Sequence, residues 1–103
     1  MEIVNNIKYF YSMSDLVKLY ESNDYKIRMI AEYMDLYQKV SKMRCFLLKV
    51  DLGLNNAVDD FYVSLMHDQY RAMSEYLSKL EKRLIFLECE IPECYFSVKG
   101  LDI

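Results

Sequence analysis

Tyr62, Gln69, Tyr76 and Arg83 recur every seven residues, so on a helix they line a single edge. Two phenol rings, an amide and a guanidinium are the groups that stack on, and hydrogen-bond to, a nucleobase or a peptide. The same positions flank the seam of any helical pair, where amphipathic residues simply pair across it. Upstream, Met34 and Tyr37 sit off the main apolar stripe, and a thioether beside a phenol suits an adaptable contact surface. Together these six residues form the expected partner-binding set.

Other groups are weaker candidates. Lys39, Lys42, Arg44 and Lys49 form a basic run, but at that spacing they spread around a helix, as on a solvated face. A nucleic-acid interface needs such charges on one face. Cys89 and Cys94, with Glu88, Glu90 and Glu93, are the one cluster resembling a metal site. Zinc takes four Cys or His ligands, and His67 and Cys45 fall at the far end of the fold outlined below, so no metal is expected. His67 is the sole histidine; Ser64 and Asp60 lie near it on a helix, but no nucleophile motif joins them. Glycine-rich phosphate loops are absent. The chain is expected to be no enzyme and to carry no cofactor.

Composition narrows the class. With 103 residues there is room for a single domain, and a hydrophobic share of 53% excludes a disordered chain. Two Gly and one Pro are too few for a many-turned β-fold. A formal net charge of −3 makes nucleic acid a poor expected partner. Three cysteines lack the spacing of a disulfide framework, and residues 1–6 lack the basic flank and apolar run of a signal peptide. No stretch approaches the roughly 18 apolar residues that cross a membrane. A reducing cytoplasm is therefore the expected location.

The elements that must position these residues follow from two apolar stripes with alternating spacings of three and four. The first comprises Met29, Tyr33, Leu36, Val40, Met43, Leu47 and Val50. The second runs from Val63 through Met66, Tyr70, Met73, Leu77, Leu80 and Leu84 to Leu87. Folding about Leu54 pairs Leu47 with Val63, Met43 with Met66, Val40 with Tyr70, Leu36 with Met73, Tyr33 with Leu77 and Met29 with Leu80. All six layers are apolar on both sides, and the register sets Arg83 opposite Tyr25 and Gln69 opposite Lys39. The expected helices span residues 24–51 and 55–90. Ser22, Asn23 or Asp24 caps the first and Gly53 ends it; Asn55 or Asn56 caps the second, and Pro92 stops it. Ser14 can open a short helix reaching Ser22, with Leu16, Val17, Leu19 and Tyr20 apolar. Residues 7–13 suit strand or helix and residues 94–99 a short strand or an ordered arm; over residues 1–13 and 94–103 strand, helix and disorder all stay open, within a C-terminal arm of 91–103. Second apolar flanks, Ile30, Met34 and Tyr37 on one helix and Phe61, Leu65 and Phe86 on the other, call for a third layer, self-association, or both.

Within the second helix, Leu65-Met66, Gln69, Met73, Tyr76-Leu77, Leu80 and Arg83-Leu84 resemble a pattern in short phage-encoded proteins named after a crAss-like phage. Ile30, Tyr33, Leu36, Lys39, Met43 and Phe46-Leu47 of the first helix fit it as well, so the resemblance covers residues 27–86. It implies a phage or prophage gene product acting inside a bacterial cell; it carries no activity and no site residue.

The expected fold is all-α: a long antiparallel two-helix hairpin with a short N-terminal helix packed on its open end, in one domain that self-associates into a homo-oligomer. The expected function is binding to a host protein, such as a defence component, through buried aromatic anchors and a cationic rim. The alternatives are an oligomeric sponge for a nucleotide signal and a self-assembling structural or regulatory unit.

Overall fold

The computed structural model describes residues 13–55 and 57–91. They form three helices, α1 (Met13–Tyr20), α2 (Tyr25–Asp51) and α3 (Asp60–Phe86), and among the described residues there is no strand. The fold is all-α. Helices α2 and α3, 27 residues each, form the hairpin, and α1 packs on α2. No helix among the described residues is long and apolar enough to cross a membrane.

Local chemistry sets each boundary. The Asp24 carboxylate accepts from the Lys26 N–H at 2.9 Å and caps α2, while the Ser22 Oγ accepts from the Asp24 N–H at 3.1 Å. Ser22 therefore belongs to the turn rather than to α1, which stops at Tyr20; its carbonyl also accepts from the Arg28 guanidinium at 2.7 Å. Helix α2 ends as expected on Gly53, whose φ of 76° lies in the left-handed region. The Gly53 N–H donates to the Val50 carbonyl and the Leu54 N–H to the Lys49 carbonyl, both at 2.9 Å, which closes a Schellman motif.

Helix α3 begins later and ends earlier than its sequence pattern suggests. Asn55 Oδ1 accepts from the Ala57 N–H at 3.3 Å and so holds a turn, not a helix start. The cap is Asp59, accepting from the Phe61 N–H at 2.8 Å, and the helix starts at Asp60 rather than at residue 55. At the other end Glu88 adopts φ 59°. The Glu88 N–H donates to the Ile85 carbonyl and the Cys89 N–H to the Leu84 carbonyl, a second Schellman motif four residues before the expected end at Glu90. Leu87, Cys89 and Ile91 pack against the core, and that burial pulls the chain out of the helix before Pro92 could stop it. Asn56, residues 1–12 and the arm from Pro92 onward lie outside the described residues.

The core is one cluster centred on α2. It holds Met29, Tyr33, Leu36 and Val40 with Leu80 and Leu84, and Tyr70, Met73 and Leu77 pack against it. Both members of four expected layers thus belong to one packed body, Val40 and Tyr70 among them. Leu16 and Leu19 of α1 join the same cluster, so α1 packs on α2 and helps bury its second flank. Ile30 is buried and Met34 is 0% exposed as a result. Among the described elements, α3 packs on α2 alone. Only Leu80 and Leu84 are buried along it, while Phe61 is 71% and Phe86 85% exposed.

Candidate functional site

Met34 leaves the expected binding set. A side chain with no exposed surface cannot anchor a partner, and it serves as core because α1 folds over it. Tyr37 is half-buried, its ring 6.0 Å from that of Tyr33 and tilted 41° to it, an aromatic pair at the margin of the core. The other four, Tyr62, Gln69, Tyr76 and Arg83, are all exposed along one side of α3.

At the open end of the hairpin this edge becomes a groove. Tyr25 and Met29 of α2 form one wall; Lys79, Lys82, Arg83 and Phe86 of α3, with Leu87, form the other. The space between them is about 460 Å³. The register's placing of Arg83 opposite Tyr25 appears here directly, since both line the same groove. On α3 the residues 79, 82, 83 and 86 follow i, i+3, i+4 and i+7, the spacing that puts side chains on one face. Three cations and two aromatic rings therefore share one groove, and among the described residues no carboxylate lines it.

Lys79, Lys82 and Phe86 are the members that the seven-residue repeat alone does not select. Their one-face spacing with Arg83 is visible in the sequence. The basic run on α2 draws attention away from it, yet that run disperses as expected: Lys39 pairs with Asp35 at 3.3 Å on the surface, and Arg44 is exposed elsewhere on the helix. Lys39 and Lys42 do border a shallower groove of about 340 Å³ with Met43, Gln69 and Met73, which realises the expected facing of Lys39 and Gln69. There the Gln69 Nε2 lies 3.7 Å from the Met73 Sδ, and no aromatic side chain is among the described lining residues.

Among the described residues no three His, Cys, Asp or Glu side chains gather as metal ligands. The Cys89 thiol points at the Leu87 carbonyl at 3.8 Å, and its expected companions Glu93 and Cys94 lie outside the described residues. Among the described residues, the titrating group that departs clearly from its ordinary value is Tyr20 of α1. Burial raises its phenol first, and the carboxylates of Asp35 and Glu32 raise it further. It stands at the α1–α2 junction, away from the groove lining.

No curated protein and no solved structure matches the chain. A family model does, over residues 23–85, which takes in the cap of α2, all of α2, α3 up to its last residue but one, and Tyr25, Met29, Lys79, Lys82 and Arg83 of the groove. That match covers more than half of the chain, and the protein belongs to the Sequestin family.

Proposed function

We propose that this protein is a non-enzymatic binding protein that sequesters a small anionic, aromatic ligand of the nucleotide class at the open end of its hairpin. The observation that carries this reading is that Lys79, Lys82 and Arg83 line one groove with Tyr25 and Phe86, with no carboxylate among its described lining residues. Guanidinium and ammonium groups supply charge-assisted hydrogen bonds to phosphate oxygens. Aromatic faces stack on a base whatever its identity. A volume of about 460 Å³ falls within the range of small-molecule sites. The lining groups bind and orient charge and include no paired general base and nucleophile, which supports holding rather than turnover. The family name, Sequestin, itself speaks of holding a ligand.

A thermal-shift panel of linear and cyclic nucleotides, with inorganic phosphate and a free nucleoside as separate arms, tests the reading. A ligand that binds only the folded chain stabilises it by mass action, by about 2.7 kcal/mol at a hundred times its Kd. The expected result is a concentration-dependent rise in Tm with at least one nucleotide, weaker with phosphate or nucleoside alone, and lost in Arg83→Ala. A flat response across the panel contradicts it.

Docking on a host protein is the second reading. It draws on the apolar side chains that α3 leaves in solvent, notably Phe61, Tyr62 and Leu65. A phage setting, with a defence component of the bacterial cell as the source of ligand or partner, is part of both proposals.

A further inference from the structure

Helix α3 carries a second stripe with the same alternation of three and four, one residue out of phase with the stripe that faces α2. It begins at Tyr62 and ends at Phe86, and every residue on it is exposed. A helix with two heptad-spaced faces, and one partner among the described helices, is built to be covered twice. We propose that a second copy of this chain covers the outer face, α3 against α3, antiparallel about a two-fold axis beside Ser74 and Glu75.

Self-complementarity is the argument for that occupant. Turning α3 over about Ser74 sets Tyr62, 57% exposed, against Phe86 of the second copy, 85% exposed, and the symmetry repeats the pair at the other end. Leu65 then lies on the aliphatic stem of Arg83. At the centre Ala72 meets Tyr76, so a small residue faces a large one and the layer fills without a clash. Along the flank, Asp68 comes opposite Lys82 of the second copy, twice over. A parallel, in-register arrangement would instead stack Lys79 on Lys79 and Arg83 on Arg83. Asp68 holds Arg71 of its own helix only loosely, at 3.5 Å, with both side chains more than half exposed, which leaves it available to Lys82. Glu75 meets its own symmetry mate at the axis, the one like-charge contact in this register.

The pairing also finishes the groove. Lys79, Arg83 and Phe86 belong to both the outer stripe and the groove lining, so the second copy brings its Tyr62 and Leu65 to the open side as a third wall, once at each end of the dimer. Two helices alone leave a bound ligand partly in solvent, whereas ligand sites generally bury most of it. This consequence rests on the ligand reading above; the pairing does not.

Sedimentation velocity on the full chain tests it with the wild type, Asp68→Lys, Lys82→Asp, their double swap, and Glu75→Gln, helix content being checked for each. The expected results are a wild-type dimer, association weakened roughly tenfold in each single charge variant and recovered in the double swap, as coupled charge pairs behave. Glu75→Gln should dimerise more tightly. A monomeric wild type, or a double swap no better than its single variants, overturns the pairing and returns this face to some other protein. A dimer that answers to no nucleotide supports the pairing while removing the groove reading. A monomer that binds nucleotide overturns the pairing alone.

Discussion

At the scale of single residues, the decisive fact is which amphipathic side chains the fold swallows and which it leaves out. Met34 and Tyr76 look alike in sequence, each off the main seam and each suited to a contact. One is fully buried beneath α1 and the other stands 45% exposed. Met34→Ala should therefore cost about 2–5 kcal/mol of stability, as large-to-small core changes do, and leave ligand affinity untouched; chemical denaturation with a binding assay on the same samples checks both. Arg83→Ala should show the reverse, near-wild-type stability with loss of nucleotide response. Tyr20 adds a pH prediction. Because its folded pKa is raised, the fold favours the protonated phenol. That contribution is complete below the ordinary tyrosine pKa of about 10 and is lost as pH rises through the raised value. Tyr20→Phe should flatten the alkaline limb of a stability–pH profile, and an unchanged limb would assign it to other groups. The fate of Met34 was not legible in sequence because it depends on whether a separate eight-residue helix folds back. No periodicity within α2 reports that.

Elements tell a different story about legibility. The register of α2 against α3 could be read in advance because an alternation of three and four admits one pairing in which every layer is apolar. The joint core of Met29, Tyr33, Leu36 and Val40 with Tyr70, Met73, Leu77 and Leu80 follows from it. The end of α2 was equally legible, since a glycine after a long amphipathic run marks a left-handed cap. The ends of α3 were not. Asn55 and Asp59 are both good caps, and only the turn that Asn55 makes with Ala57 decides between them. At the other end a glutamate occupies the left-handed position, which no propensity rule would choose. It is held there by the packing of Leu87, Cys89 and Ile91. Such a conformation costs an L-residue about 1–2 kcal/mol, so Glu88→Gly should raise stability by about 1 kcal/mol. Gly53→Ala should lower it by a similar amount through backbone strain alone, because a Cβ there meets nothing within 4 Å. Equilibrium unfolding in urea measures both, and two changes of the same sign would contradict the assignment of the caps.

As a whole molecule the protein spends its apolar surface unevenly. Among the described elements, α2 packs against both α1 and α3, whereas α3 packs against α2 alone. That asymmetry leaves an aromatic and cationic face on a chain whose formal net charge is −3, with three of its 13 Lys and Arg side chains lining the groove where the hairpin opens. An anionic ligand would find that end against the overall charge, so its binding should weaken as salt screens the three cations, and a salt series of Kd values checks this. Four of the seven described residues lining the groove were legible, Tyr25 and Arg83 through the register and Met29 and Leu87 through the apolar stripes. Lys79, Lys82 and Phe86 went unselected because the seven-residue repeat passes between them. The most direct test of the account is an amide-resolved NMR titration of the full chain with the nucleotide that gives the largest thermal shift. The account predicts saturable perturbations concentrated at residues 25–29 and 79–87; perturbations centred instead on Lys39, Lys42 and Gln69, or none at any residue, would contradict it.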